Sequence, residues 1–135
     1  VIRDGHEGCI AIIDLDHFKR VNDNFGHAGG DTVLRNFARV TRGLVRSTDT
    51  FARIGGEEFA LLLPGASLEM GEVICARINT ALAENDAIFD YLPIKVTLSI
   101  GLTSIGKDAI TTLQSADLAL YQAKSGGRNQ LAIAA

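Results

Sequence analysis

The chain has 135 residues and a formal charge of −3, with 47% hydrophobic and 21% charged residues. This balance describes one folded domain and excludes a disordered chain. Net acidity argues against a non-specific nucleic-acid binder, although a small anion held by local cations or a metal stays admissible. Gly8 to Asp14 is a continuous Ile-rich apolar run, the pattern of a strand buried on both faces. A short helix is expected from His17 to Asn24, ending near Gly26, followed by a longer one from Asp31 to about Arg46. In the longer helix Val33, Leu34, Phe37, Val40 and Leu44 form one apolar stripe. Thr50–Ile54 and Phe59–Leu63 flank Gly55-Gly56, which predicts a β-hairpin with a primed, positive-φ turn. Ser67 is the expected N-cap of a helix reaching about Glu84, with Val73, Ile74, Ile78 and Leu82 facing inward. Ile94 to Leu102 alternates as a strand, with Ile94, Val96, Leu98, Ile100 and Leu102 on one face. A last helix over about Thr111 to Lys124 carries Leu113, Leu120 and Tyr121, and Asn129 to Ile133 closes the order as a strand.

The order β-α-α-β-β-α-β-α-β predicts an α+β domain of ferredoxin-like or palm type. Its sheet is expected to be mixed and mostly antiparallel, with helices packed on one main face. Cys9 and Cys75 sit alone in apolar stretches and read as buried, reduced thiols suited to a reducing cytosol. No apolar run approaches the roughly 20 residues of a membrane span, so this segment is expected to be cytoplasmic and without membrane contact. Any membrane tether or sensory part would lie outside it, and a start at Val1 rather than Met suggests a piece of a longer protein.

Three places break local rules. Asp14 and Asp16 follow a buried strand, where carboxylates are costly unless they cap a helix or bind a cation. Asp16 can cap the helix from His17, whereas Asp14 is expected to point the opposite way. Glu57 and Glu58 follow Gly55-Gly56 at a hairpin tip. This is either a plain solvated turn or a pair of acids awaiting a cation, beside backbone that a phosphate can approach. Lys124 and Arg128 flank a helix end, where cations complement the helix dipole or neutralise a triphosphate. Together these parts suit phosphoryl transfer, in which positioning and charge neutralisation do most of the catalysis.

At this point the sequence resembles the GGDEF family, the diguanylate cyclases that make cyclic di-GMP. The matching segments are Asp-Leu-Asp-His-Phe-Lys at 14–19, Val-Asn-Asp-Asn-Phe-Gly-His at 21–27, Gly-Asp at 30–31 and Arg-Ile-Gly-Gly-Glu-Glu-Phe at 53–59. Further matches are Ser-Ile-Gly at 99–101, Ala-Asp-Leu-Ala-Leu-Tyr-Gln-Ala-Lys at 116–124 and Gly-Arg-Asn at 127–129. The resemblance implies one GGDEF domain over 1–135 that condenses GTP. On the same resemblance this segment is expected to be a fragment without the helix that usually precedes the first strand and without any regulatory domain.

The resemblance also implies roles. Asp14, the Leu15 carbonyl and one or both of Glu57 and Glu58 would hold Mg²⁺, or Mn²⁺ in its place. Glu57 would deprotonate the ribose 3′-hydroxyl. Asn22 and Asp31 would read guanine with His27 lining the pocket, and Lys19, Lys124 and Arg128 would contact phosphates or transition-state charge. Arg46-Ser-Thr-Asp49 matches the family's inhibitory product site, with Arg77 as a second contact, and catalysis is expected to need a homodimer. The alternative is a silent relative that senses cyclic di-GMP or GTP. A ferredoxin-like RNA binder would need exposed aromatics and a basic sheet face, and this chain has no Trp and is acidic.

Overall fold

The computed structural model describes residues 8–134. The expected single domain over 1–135 therefore extends to residues 1–7 and 135, which lie outside the described residues. In chain order the elements are β1 (Cys9–Leu15), α1 (Phe18–Arg42), β2 (Thr50–Arg53), β3 (Glu58–Leu63), α2 (Leu68–Glu84), β4 (Ala87–Phe89), β5 (Leu92–Ile94), β6 (Leu98–Ser104), α3 (Ala109–Ser125) and β7 (Gln130–Ile133). Five strands form one sheet in the order β2-β3-β1-β6-β7. Every pairing in it is antiparallel except β6 with β7, so the sheet is mixed and mostly antiparallel within an α+β fold, as expected.

The apolar run of β1 fills the central position and is covered on both sides. Cys9, Ala11, Ile13 and Leu15 join the main core with Val33, Leu34 and Phe37 of α1 and Ile74, Cys75 and Ile78 of α2. Ile12, on the opposite face, packs with Ala116 and Leu120 of α3. Helices thus cover both faces, not one main face. A central strand that is apolar on both sides requires a second layer.

The structure corrects several element expectations. α1 is two helical stretches meeting at a break where Gly26 adopts φ 73° and ψ 175°, so the first stretch ends near Gly26 as expected, while the second begins directly after it and not at Asp31. Ile94 and Leu98 do share the core, but they lie on different strands. A separate β4–β5 hairpin ends at Ile94, and its turn residues Asp90 and Tyr91 both have left-handed backbones (φ 51° and 67°). Leu44 lies beyond the helix and is exposed. Val73, Leu113 and Tyr121 are exposed as well. On α2 the buried stripe is Gly71, Ile74, Cys75, Ile78 and Leu82, which leaves Val73 outside it. On α3 it is mostly small residues: Thr112, Ala116, Ala119, Leu120 and Ala123. Close approach of α3 to the sheet, rather than large side chains, makes that contact.

Ser67 caps α2 as expected, accepting the Met70 N–H at 3.1 Å. Cys9 and Cys75 are free and buried. Burial raises both thiols, Cys75 to about 12, so both stay protonated at neutral pH.

Gly101 of β6 shows how tight the second layer is. A Cβ there would overlap the Ala116 carbonyl oxygen and the Leu120 backbone nitrogen, and backbone cannot swing aside. Gly101→Ala is expected to destabilise the fold by about 1–3 kcal/mol, the range for overpacking. Gly56→Ala, whose added Cβ meets nothing within 4 Å, should leave the denaturation midpoint unchanged. Equal midpoints for the two variants in urea titrations would contradict this packing.

Candidate active site

Asp14 and Asp16 are both buried, at 4% and 5% exposure. They do not point opposite ways. β1 continues to Leu15, so strand alternation places 14 and 16 on the same face and Leu15 in the core on the other. Both carboxylates face the segment that ends α3. Asp14 forms an ion pair with Lys124. Asp16 does not cap α1, because His17 takes that position with a left-handed backbone (φ 55°) and no side-chain cap. Instead Asp16 accepts hydrogen bonds from the Thr97 and Ser99 hydroxyls, each at 2.6 Å, and from the Asn129 N–H at 2.9 Å.

The β2–β3 hairpin brings two further acids to the same place. Glu58 lies opposite Asp14 in the β1–β3 register. The Glu57 carbonyl accepts the Leu15 N–H at 3.2 Å. Phe59, the next residue, is buried, stacks on Phe51 of β2 (centroids 5.3 Å apart, planes within 6°) and meets Phe37 of α1 edge-on at 4.9 Å. Such aromatic pairs add about 0.5–1.5 kcal/mol beyond area burial and fix the hairpin tip against the core.

Gly55 and Gly56 do not form the expected primed turn, since neither has a positive φ among the described residues. The link is instead a wider one. Ile54 and Gly55 donate their N–H groups to the Glu58 carbonyl at 2.9 and 3.2 Å. The Arg53 guanidinium donates to the Gly55 and Gly56 carbonyls, at 3.0 Å for Gly55 and as close as 2.6 Å for Gly56. At Gly55 an added Cβ would meet only the Glu58 Cβ, at 3.6 Å. Neither conformation nor packing within the chain requires these two glycines.

One cavity of about 180 Å³ is lined by Asp14, Leu15, Lys19, Glu57, Lys124 and Arg128, together with Asp16, His17 and Phe18. Six residues expected in the metal and phosphate set therefore meet in one place. Glu58 is not part of its lining but is Asp14's cross-strand neighbour. Lys19 is exposed and pairs with Asp23 at 3.3 Å. Asn22, His27 and Asp31 lie on α1 around the Gly26 kink, outside this cavity, with the Asn22 side chain lying over Gly30. Arg46 forms a tight pair with Asp49, its Nε and Nη2 donating to Oδ1 at 3.0 and 2.7 Å. It lines a second cavity of about 440 Å³ with Arg77. The hydroxyl partners of Asp16 were not foreseen. The only hint of them was Thr97-x-Ser99 at the start of the alternating strand.

Comparison with known proteins identifies the chain. Residues 1–130 match the family model described as "Diguanylate cyclase, GGDEF domain". The chain belongs to the GGDEF family. It is 44% identical over 134 residues to diguanylate cyclase DgcP of Pseudomonas aeruginosa, covering 98% of this chain and 20% of that protein. It is 39% identical to diguanylate cyclase A of Treponema denticola, covering 92% of this chain and 34% of that protein. The chain thus spans about a fifth to a third of these two relatives. Among solved structures, the GGDEF domain of DgcB from Caulobacter crescentus in complex with c-di-GMP superposes with a TM-score of 0.87 at 31% identity, covering 93% of this chain and 77% of that one.

In this GGDEF domain the signature reads Gly55-Gly56-Glu57-Glu58-Phe59. Burial, and next the charge of Asp14, push the Glu58 carboxyl above its ordinary range; Lys124 pulls it down, while Asp117 and Glu57 add to the rise. Around Glu58 three acids, Asp14, Asp117 and Glu57, outnumber Lys124, the one cation that acts on it. Among the described residues no three or more His, Cys, Asp or Glu side chains cluster tightly enough to hold a metal alone. A magnesium ion does not require that, because it takes one or two carboxylates and completes its octahedron with phosphate oxygens and water. The donor set, with the acids gathered around Glu58, fits such an ion.

The raised Glu58 pKa has a testable sign. Burial favours the neutral form, so ionised Glu58 weakens the fold above its raised pKa and has no such effect once protonated in both folded and unfolded chains. In metal-free buffer Glu58→Gln should therefore raise the melting temperature at pH 7. The gain should fade as pH falls through about 4.5, the ordinary glutamate range. A melting temperature lowered at pH 7, or shifted equally at all pH values, would refute the assignment.

Proposed function

We propose that this domain condenses two molecules of GTP into cyclic di-GMP, releasing two pyrophosphates. The observation that supports this best is the 180 Å³ cavity in which Asp14 of β1 and Glu57 of the β2–β3 turn meet Lys19, Lys124 and Arg128. Diguanylate cyclases among its relatives, and a neighbour solved with c-di-GMP, add to that support. Asp14, the Leu15 carbonyl and one or both of Glu57 and Glu58 would hold Mg²⁺, or Mn²⁺ in its place. When bound, the ion supplies positive charge that makes a ribose hydroxyl more acidic and offsets charge growing on the triphosphate.

In this reading Glu57 accepts the proton of a 3′-hydroxyl. The freed oxygen bonds to the α-phosphorus of a second GTP while the bond to the β-phosphate bridging oxygen breaks in line, its electrons leaving with pyrophosphate. Lys19, Lys124 and Arg128 neutralise the phosphates as that charge shifts. Attacking oxygen and phosphorus belong to different nucleotides, each held by its own domain. Two copies must therefore face each other, and the same step with roles exchanged closes the ring. Asn22 and Asp31 read guanine beside His27, since N1–H and the 2-amino group are both donors suited to a carboxylate. Cyclic di-GMP binds at Arg46, Asp49 and Arg77, where it restrains the enzyme. We place the domain in the cytoplasm, where GTP is available; no helix among the described residues is long and apolar enough to cross a membrane.

Purified protein incubated with GTP and MgCl₂ should yield cyclic di-GMP by chromatography, at a rate rising more steeply than protein concentration where dimers form. Glu57→Gln should cut turnover by about 10²- to 10⁴-fold, the span of general-base catalysis, without lowering the melting temperature. Turnover within twofold of wild type would remove Glu57 from the chemistry. Nucleotide binding with no dinucleotide product would favour a silent sensor instead.

Arg46→Ala should keep turnover at low product and lose sensitivity to added cyclic di-GMP. An unchanged inhibition curve would show that the Arg46 cavity is not the product site.

A further inference from the structure

Asp16 has no part in the metal and phosphate set, yet both of its oxygens are engaged. Oδ1 accepts the Ser99 hydroxyl, and Oδ2 accepts both the Thr97 hydroxyl and the Asn129 N–H. Its own N–H donates to the Thr97 carbonyl at 2.9 Å. With its oxygens so occupied, Asp16 is a poor metal ligand.

Its third partner gives it a role. Asn129 directly follows Arg128, and the turn they form is unusual. Gly127, Arg128 and Asn129 have φ of 119°, 63° and 49°, three consecutive residues in the left-handed region, two of them not glycine. Side chains disfavour that region, and it persists only where the surroundings hold it. The holds on this turn can be named. The Arg128 N–H donates to the Ala123 carbonyl at 3.0 Å. Gln130 Nε2 donates to the Arg128 carbonyl at 3.1 Å. The Asn129 N–H reaches the Asp16 carboxylate, which is the charge-assisted bond of the three. Arg128 lines the 180 Å³ cavity from this turn.

We propose that Asp16 is a positioning residue: through the Asn129 N–H it fixes the left-handed turn that presents Arg128 to the substrate phosphates. Resting on the cyclase reading above, this extends it to a residue that touches neither metal nor nucleotide. Thr97, just before β6, and Ser99 within it orient the carboxylate, so Arg128 is fixed from the ends of the two inner strands β1 and β6. The requirement is for an acceptor at Asn129 rather than for charge. In Asp16→Asn the amide oxygen can take the Asn129 N–H and the Thr97 hydroxyl, while the amide nitrogen donates to Ser99.

The test is a double-mutant cycle in the intact protein, with kcat and KM for GTP at saturating Mg²⁺. Asp16→Ala and Arg128→Ala should each lower kcat by about 10- to 100-fold, the scale of a misplaced catalytic contact. The double variant should be no worse than either single one, and Asp16→Asn should recover most of the loss. Multiplying losses, or an Asp16→Asn as poor as Asp16→Ala, would overturn the proposal. Amide exchange without nucleotide reads the same link apart from activity. Asp16→Ala should speed exchange at Asn129 and leave Ile100, in the middle of β6, protected. Unchanged Asn129 exchange would likewise overturn it. If wild type makes no dinucleotide, the cyclase reading fails, and the exchange result still shows whether Asp16 holds the turn. Should Asp16→Ala not fold, Asp16→Ser replaces it in the cycle, since its hydroxyl lacks the second oxygen that Asn129 needs.

Discussion

At the end of β1, two carboxylates on one face of the sheet hold the segment that closes α3. Asp14 pairs with Lys124 in the last turn of the helix, and Asp16 takes the backbone of the turn after it. Buried carboxylates are tolerated only when paired or fully hydrogen-bonded, and these two satisfy that rule in different ways. Asp16 is closed, with all partners supplied by the chain. Asp14 is open: its one cation is shared with an electrostatic neighbourhood that also contains Glu58. A site that must accept an ion and release it needs one carboxylate of each kind, one to fix the frame and one whose counter-charge can be exchanged. On the proposed reading Lys124 would exchange Asp14 for phosphate within the cavity that both residues line.

The hairpin tip completes the site from the other side. Phe59 and Phe51 fix β2 and β3 in the aromatic core, and Arg53 fastens the turn through the carbonyls of Gly55 and Gly56. The tip is thus held by contacts from both sides although it carries two glycines. Glycine in a turn is usually explained by a left-handed backbone or a crowded neighbour, and neither applies here. What remains is space left clear for something outside the chain. The glycines adjoin Glu57, which lines the cavity with Lys19, Lys124 and Arg128, and on the proposed reading that clear space admits the phosphates of a nucleotide.

The sequence made the strands legible where burial alone decided them. The Ile-rich run of β1 and the apolar runs around Gly-Gly could hardly be anything else, and Ser67 announced its helix by the hydrogen-bonding chemistry of a cap. Three kinds of feature were not legible. The β4–β5 hairpin turns on Asp90 and Tyr91, which carry none of the usual glycine signal for a left-handed turn. α3 packs through alanines against Gly101, so a search for large apolar residues selected Leu113 and Tyr121, which are exposed. In the site, charged residues placed where apolar runs end were visible, and six of them share one cavity. The role of Asp16 was not, because its partners lie 81, 83 and 113 residues away, and two of them are hydroxyls while the third is a main-chain N–H.

The kink in α1 bears on the proposed guanine readers. Asn22 and Asp31 are nine residues apart, and at about 100° per residue an unbroken helix would put them about half a turn out of phase, on opposite faces. The break at Gly26, with φ 73° and ψ 175°, resets that phase. Asn22 then lies over Gly30, where a Cβ would collide with its amide oxygen, and so beside Asp31 in the chain. Two glycines thus serve one end: Gly26 turns the second half of the helix, and Gly30 makes room for the side chain brought over it. Both halves also feed the core, Phe18 and Val21 from the first and Val33, Leu34 and Phe37 from the second. On the proposed reading, the break also lets two side chains from one helix address one ligand edge.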